Sequence, residues 1–193
     1  ADQFQILAAI IVAIHFFQRS EEHTSRRVLF RSEEVPFEFI DKVFKTIRDT
    51  PHHRYQVLTK RSERMREYFL LRDIPANVWL GVTVENLKAK KRIEHLRHLQ
   101  ATVLFLSCEP LLEDLGELNL KNIDWIIVGG ESGSKARPMQ EEWVLSIKEQ
   151  SDNQDVSFFF KQWGTWGRDG VKRSKHLNGR LLKGSVFHAI PYK

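Results

Sequence analysis

Five apolar runs in this chain each empty into residues able to carry charge or share hydrogen bonds. The endings are Thr59 and Lys60, Glu85 and Asn86, Ser107 and Glu109, Glu131 and Ser132, and Lys161 and Gln162. Three glutamates facing two lysines suit a zwitterionic or multiply polar ligand, because each charge on it finds a partner in a partly desolvated cup. The same groups joined to one another make inter-loop salt bridges that need no ligand. The segment 123–138, IDWIIVGGESGSKARP, states the pattern most fully: a β-branched run reaches Gly129 and Gly130, then Glu131, Ser132, Lys135 and Arg137. Paired glycines allow positive φ and close approach of the backbone to a ligand, and they equally suit a tight turn with a solvated tip.

For those endings to meet, the runs must be parallel strands. Strand starts near 55, 78, 102, 124 and 156 recur at the period of right-handed βα units. The runs are continuously apolar rather than alternating, as expected of strands covered on both faces. Between them, Phe37, Ile40, Val43, Phe44 and Ile47 after Pro36 predict an amphipathic helix. Met65, Tyr68 and Phe69 predict a second over 62–71, Ile93, Leu96 and Leu99 a third over 87–99, and Trp143, Val144 and Ile147 a fourth. The fold class is α/β, with the ligand end at the carboxyl ends of the strands.

Composition narrows the classes. A hydrophobic content of 41% over 193 residues suffices for one core, and +5 is too mild a net charge to demand a polyanionic partner. The single cysteine, Cys108, excludes a disulfide framework and points to a cytoplasmic protein. Cys108 is either a nucleophile or a packed apolar residue; no histidine is placed beside it by sequence. His52 and His53 are adjacent, point apart and lack a third ligand, so no metal site is expected. Two stretches offer themselves to nucleic acid: the basic face of 88–97 (Lys88, Lys90, Lys91, Arg92, Arg97), and the tail in which Trp163 and Trp166 precede Arg168, Lys172, Arg173 and Lys175. A cluster-free barrel holding a phosphorylated metabolite at Gly129 and Gly130, with Lys135 or Arg137 nearby, is a third reading.

The motifs VWLGVTVEN, FLSCEPLL, IDWIIVGGESG with ARPM, FFFKQWG and the distal GRLL resemble the successive strand-end motifs of a radical SAM-like family. Its members occur in phage and bacterial genomes and are generally described as phage proteins or domains of unknown function. The resemblance implies a partial parallel (βα) barrel binding S-adenosylmethionine beside a [4Fe-4S] cluster that is held by three cysteines after the first strand. This chain lacks that strand and its cysteines, and Cys108 cannot replace three thiolates. The resemblance assigns Glu85, Glu109 and Glu131 to amino and hydroxyl groups of the ligand, with Thr59, Lys60, Ser107, Gly129, Gly130, Ser132 and Lys161 completing the cup. It implies radical chemistry on an unknown substrate in the intact enzyme, none in this chain, and a three-cysteine-motif protein as a partner.

Residues 1–32 are expected to be foreign to the rest. RSEEHTS and RRVLFRS, which together span 19–32, can be encoded by one DNA word read on both strands, AGATCGGAAGAGCACACGTCT and its reverse complement. That word resembles a sequencing adapter, so the segment reads as a translated adapter dimer preceded by an unrelated stretch. The apolar run 6–17 is short for a membrane span, contains His15 and follows Asp2, so neither anchor nor signal peptide is expected. On this reading 33–193 is the C-terminal part of a partial barrel, with a loop-rich tail from about 163. The first βα unit is then missing, and strand 55–60 is left as a bare, aggregation-prone edge.

Overall fold

The computed structural model describes the backbone of residues 10–12 and then residues 35–191. Six strands form one sheet in chain order: β1 (Ile10–Val12), β2 (Tyr55–Thr59), β3 (Val78–Thr83), β4 (Val103–Cys108), β5 (Trp125–Gly129) and β6 (Ser157–Gln162). Every neighbouring pair is parallel. Helices α1 (Phe37–Asp49), α2 (Ser62–Phe69), α3 (Lys91–Arg97) and α4 (Glu141–Asn153) connect them. The predicted helix 87–99 is broken, beginning as a 3₁₀ turn at Leu87–Lys90 that Asn86 caps by accepting from the Ala89 amide.

Alternation along the strands sorts the side chains into two clusters. Val57, Leu80, Val82, Leu104, Leu106, Ile126, Val128, Phe158 and Phe160 pack with Ile40, Phe44 and Ile47 of α1, Met65 and Phe69 of α2, Ile93 and Leu96 of α3, and Val144 and Ile147 of α4. The opposite face carries Trp79, Val103, Phe105 and Trp125, packed with Leu58, Ile127, Phe159 and Ile190 and no helical residue. Parallel strands in chain order with all these helices on one face have the winding order of a partial (βα) barrel, in which the helix-free face is the concave one. Period 2 therefore assigns each later residue of a strand to the helix face or the concave face.

On the concave face Gly81 admits the Phe105 ring, whose nearest carbons would lie 2.4 Å from a Cβ at that position. Trp125 stands at the centre, its ring 5.9 Å from Trp79, 5.8 Å from Phe105 and 6.0 Å from Phe159. Its indole N–H donates to the Ala189 carbonyl at 2.9 Å. The tail runs antiparallel along β6, bridging Phe159 to His188.

Two expectations need correction. A strand does precede Tyr55: Ile10–Val12 pairs with Tyr55–Val57, so that part of the β2 edge is not bare. A βα unit, β1 and α1, thus comes before β2. The adapter-like segment 19–32 and the apolar run 6–17, apart from the backbone of 10–12, lie outside the described residues. Among the described residues no helix is long and apolar enough to cross a membrane.

Candidate functional site

The rim of the concave face begins where Thr83 and Ser107 sit opposite each other in register, both buried. Two residues further on, past the ends of β3 and β4, come Glu85 and Glu109. Each carboxylate is neutralised by a lysine from another strand. Lys60, just past β2, places Nζ 2.8 Å from Glu85 Oε1; Lys161 of β6 places Nζ 2.9 Å from Glu109 Oε2. The order across the rim is lysine, carboxylate, carboxylate, lysine.

Glu85 is the more deeply held of the two. Arg92 of α3 donates to its Oε2 at 2.7 Å and to the Thr83 carbonyl at 2.6 Å. Burial works against ionisation of Glu85, but the Lys60 hydrogen bond, its own backbone amide and the charges of Arg92 and Lys60 outweigh it and hold the carboxyl below the usual range. Glu109 is looser: besides Lys161 it has a long 3.4 Å contact from the Gln162 amide. That amide also donates to the Gly130 carbonyl at 3.0 Å. Its own oxygen is buried and has no hydrogen-bond partner among the described residues.

The central glycines serve packing. A Cβ on Gly129 would meet the Glu109 carboxyl carbon at 3.2 Å, and one on Gly130 would stand 1.9 Å from the Trp163 carbonyl oxygen. Neither has positive φ; in this loop that conformation falls to Gly133, at 118°. The Gly130 amide is already spent on the Gln162 carbonyl at 2.9 Å, so the glycine pair does not form a free phosphate cradle. Glu131 closes its own loop: Arg137 grips both its oxygens at 2.8 and 2.9 Å and adds its backbone amide at 2.8 Å. Those bonds lower the Glu131 carboxyl from its ordinary value.

Of the residues expected in the cup, the structure places Lys60, Glu85, Ser107, Glu109, Gly129 and Lys161 along the carboxyl ends of the strands, joined as the pairs Lys60–Glu85 and Lys161–Glu109. Gly130 and Glu131 support them from the neighbouring loop, and Ser132 is exposed beyond them. Thr59 does not join them. It shares the helix-facing parity of Val57, and with Phe44, Met65 and Tyr68 it lines an apolar cavity of about 50 Å³ between α1, α2 and β2. Its hydroxyl accepts from the Arg61 amide at 3.0 Å. Counting by twos from Val57 in the sequence would have shown this. The sequence marks Arg92 only as part of a basic helix face, and no spacing rule identifies it as the partner of Glu85.

Cys108 is fully buried and faces the helices with Leu104 and Leu106. Burial, aided by the Glu85 charge, pushes its thiol up to about 12, so it is a packing residue and not a nucleophile. The basic helix face is largely drawn inward. Lys90 donates to the Leu115 and Glu117 carbonyls at 2.8 and 2.6 Å, and Lys91 faces Glu63 at 3.6 Å. Arg97 is buried against the Asn119 and Lys121 carbonyls at 2.8 and 2.9 Å.

No curated protein and no solved structure matches the chain. Residues 23–191 match the family described as "Protein of unknown function (DUF5131)", a span that contains β2 to β6 and every rim residue. The chain belongs to that family.

Proposed function

We propose that this chain is part of a radical SAM-like partial barrel, and that its rim binds the zwitterionic end of S-adenosylmethionine. The observation that carries the reading is the row Lys60, Glu85, Glu109, Lys161 at the carboxyl ends of β2, β3, β4 and β6. Glu109 has room to accept from a ligand ammonium, because among the described residues its only hydrogen bond besides that from Lys161 is a long one. Lys161, half exposed at 53%, can then turn to a ligand carboxylate. The unpartnered Gln162 oxygen offers a further acceptor. The hydroxyls of Thr83 and Ser107 below the rim, and the apolar floor of Phe105, Ile127 and Phe159, suit the less polar remainder of such a molecule.

The [4Fe-4S] cluster does not fit these residues. The one thiol is buried on the helix side of the sheet, away from the rim, and is held protonated. No radical step is assigned to this chain, whose residues bind and orient.

Isothermal titration of the 193-residue chain with S-adenosylmethionine tests the reading. Saturable binding is expected, weakened at least about tenfold, or 1.4 kcal/mol, by Glu109→Gln and by Lys161→Ala. Absent binding, or binding that ignores both substitutions, overturns it.

A further inference from the structure

The net positive charge of this protein falls in one stretch of its sequence. Residues 163–193 hold seven lysines and arginines against Asp169 alone, a net of +6, whereas the whole chain carries +5, leaving −1 for residues 1–162. We propose that the segment from Trp163 to Lys183 is a docking surface for single-stranded nucleic acid, positioned to lead the strand across the rim.

The segment has a defined fold built on indole and amide hydrogen bonds to backbone carbonyls. Trp163 is buried, and its indole donates to the Leu181 carbonyl at 2.9 Å. Trp166 donates to the Ala136 carbonyl at 2.7 Å. Asn178 donates to the Gly164 and Thr165 carbonyls, both at 2.9 Å. Of the basic side chains Arg173 is the one paired with a carboxylate of the segment, Asp169, at 2.6 and 2.8 Å. Arg168 and Lys183 share a single carboxylate, Glu141, at 3.7 and 3.0 Å. Lys172 lies 4.7 Å from the centre of the Trp166 ring. Lys175 and Arg180 are exposed and have no carboxylate partner among the described residues. Clustered like charges of this kind repel one another and are relieved by a polyanion. The contrast is α3 and the 3₁₀ turn before it, where Lys90, Arg92 and Arg97 hold the fold together.

Attachment to the rim is direct. Trp163 follows Gln162, whose amide contacts Glu109 and Gly130. The Thr165 amide donates to the Glu131 carbonyl, and its hydroxyl accepts from the Gly133 amide, both at 2.9 Å. Exposed Val171, Leu177 and Leu181 stand among the cations. Phosphates would meet the lysines and arginines, and unstacked bases, unlike the side chains of an acidic peptide, present flat apolar faces to Trp166 and the aliphatic residues.

The experiment measures fluorescence anisotropy of a labelled oligothymidylate of about 20 nucleotides titrated with the 193-residue chain, at salt from about 50 to 200 mM. Binding is expected at low salt and to fall steeply as salt rises. Lys175→Glu with Arg180→Glu is expected to weaken it at least about tenfold and to flatten the salt dependence by more than about one unit of slope. Lys121→Glu, an exposed lysine at the opposite end of the strands, changes neither. Three results would overturn the proposal: no binding at low salt, equal effects of the two charge reversals, or preference for phosphatidylserine vesicles or polyglutamate over the oligonucleotide. S-adenosylmethionine binding is read in a separate titration, so either property can fail while the other stands.

Discussion

Gly130 passes so close beneath Trp163 that a Cβ on the glycine would stand 1.9 Å from the Trp163 carbonyl oxygen. The reciprocal contact is as tight, with a Cβ on Gly164 falling 2.2 Å from the Glu131 carbonyl oxygen. Two backbones cross there without side chains between them, and that crossing ties the rim loop to the basic tail. Gly130→Ala is expected to destabilise the protein by about 3 kcal/mol, because the obstructing atom belongs to the backbone and cannot swing aside. The shift of the urea midpoint at constant slope measures it. A midpoint like that of the unsubstituted protein would mean that the crossing has room for a methyl group.

Glu85 links acid stability to the rim. Its folded carboxyl ionises below the ordinary value, so the folded state binds fewer protons than the unfolded state between the two values. Its contribution is present above the unfolded value and is lost as pH falls through the folded one. Glu85→Gln is expected to cost about 1–2 kcal/mol at about pH 7, less than a fully buried pair because Lys60 is nearly half exposed. The difference between the two proteins should shrink on acidification below about pH 4. A difference that stays constant with pH would remove the carboxylate's charge from the explanation.

Much of this architecture is legible in the sequence. The periodicity of Ile40, Phe44 and Ile47, and of Ile93 and Leu96, marks helices that do bury those residues. The polar endings after each apolar run mark the rim. What periodicity lacks is pairing at a distance. Nothing local shows that Gln162 will reach Glu109, 53 positions earlier, or that Arg92 will turn toward Glu85 and away from solvent. The glycine pair misleads for a related reason: glycine is required for close approach, but the sequence does not say whether a ligand or another part of the chain approaches. Here the close neighbours are Glu109 and the Trp163 backbone.

Cys108 gives a prediction on reactivity. With its thiol fully buried and pushed up to about 12, the thiolate fraction at about pH 8 is very small and access is closed. Ellman's reagent is expected to leave the folded protein unlabelled over minutes and to titrate one thiol per chain once urea unfolds it. Rapid labelling of the folded protein would place Cys108 on an accessible surface and reopen its reading as a nucleophile.

The concave floor can be tested through Gly81 and Phe105. A Cβ on Gly81 would lie 2.4 Å from two atoms of the Phe105 ring and 2.6 Å from a third. The ring is itself buried, with Trp125 5.8 Å away, so it has little space to retreat. Gly81→Ala alone should cost about 1–3 kcal/mol through overpacking. Phe105→Leu alone should also destabilise, because it removes ring contacts and leaves space. Combined, each change relieves the other: the methyl group enters volume the ring has left. The double variant should therefore be more stable than the sum of the single effects by about 1 kcal/mol or more. Simple additivity in the double-mutant cycle would show that the glycine and the ring do not share that space.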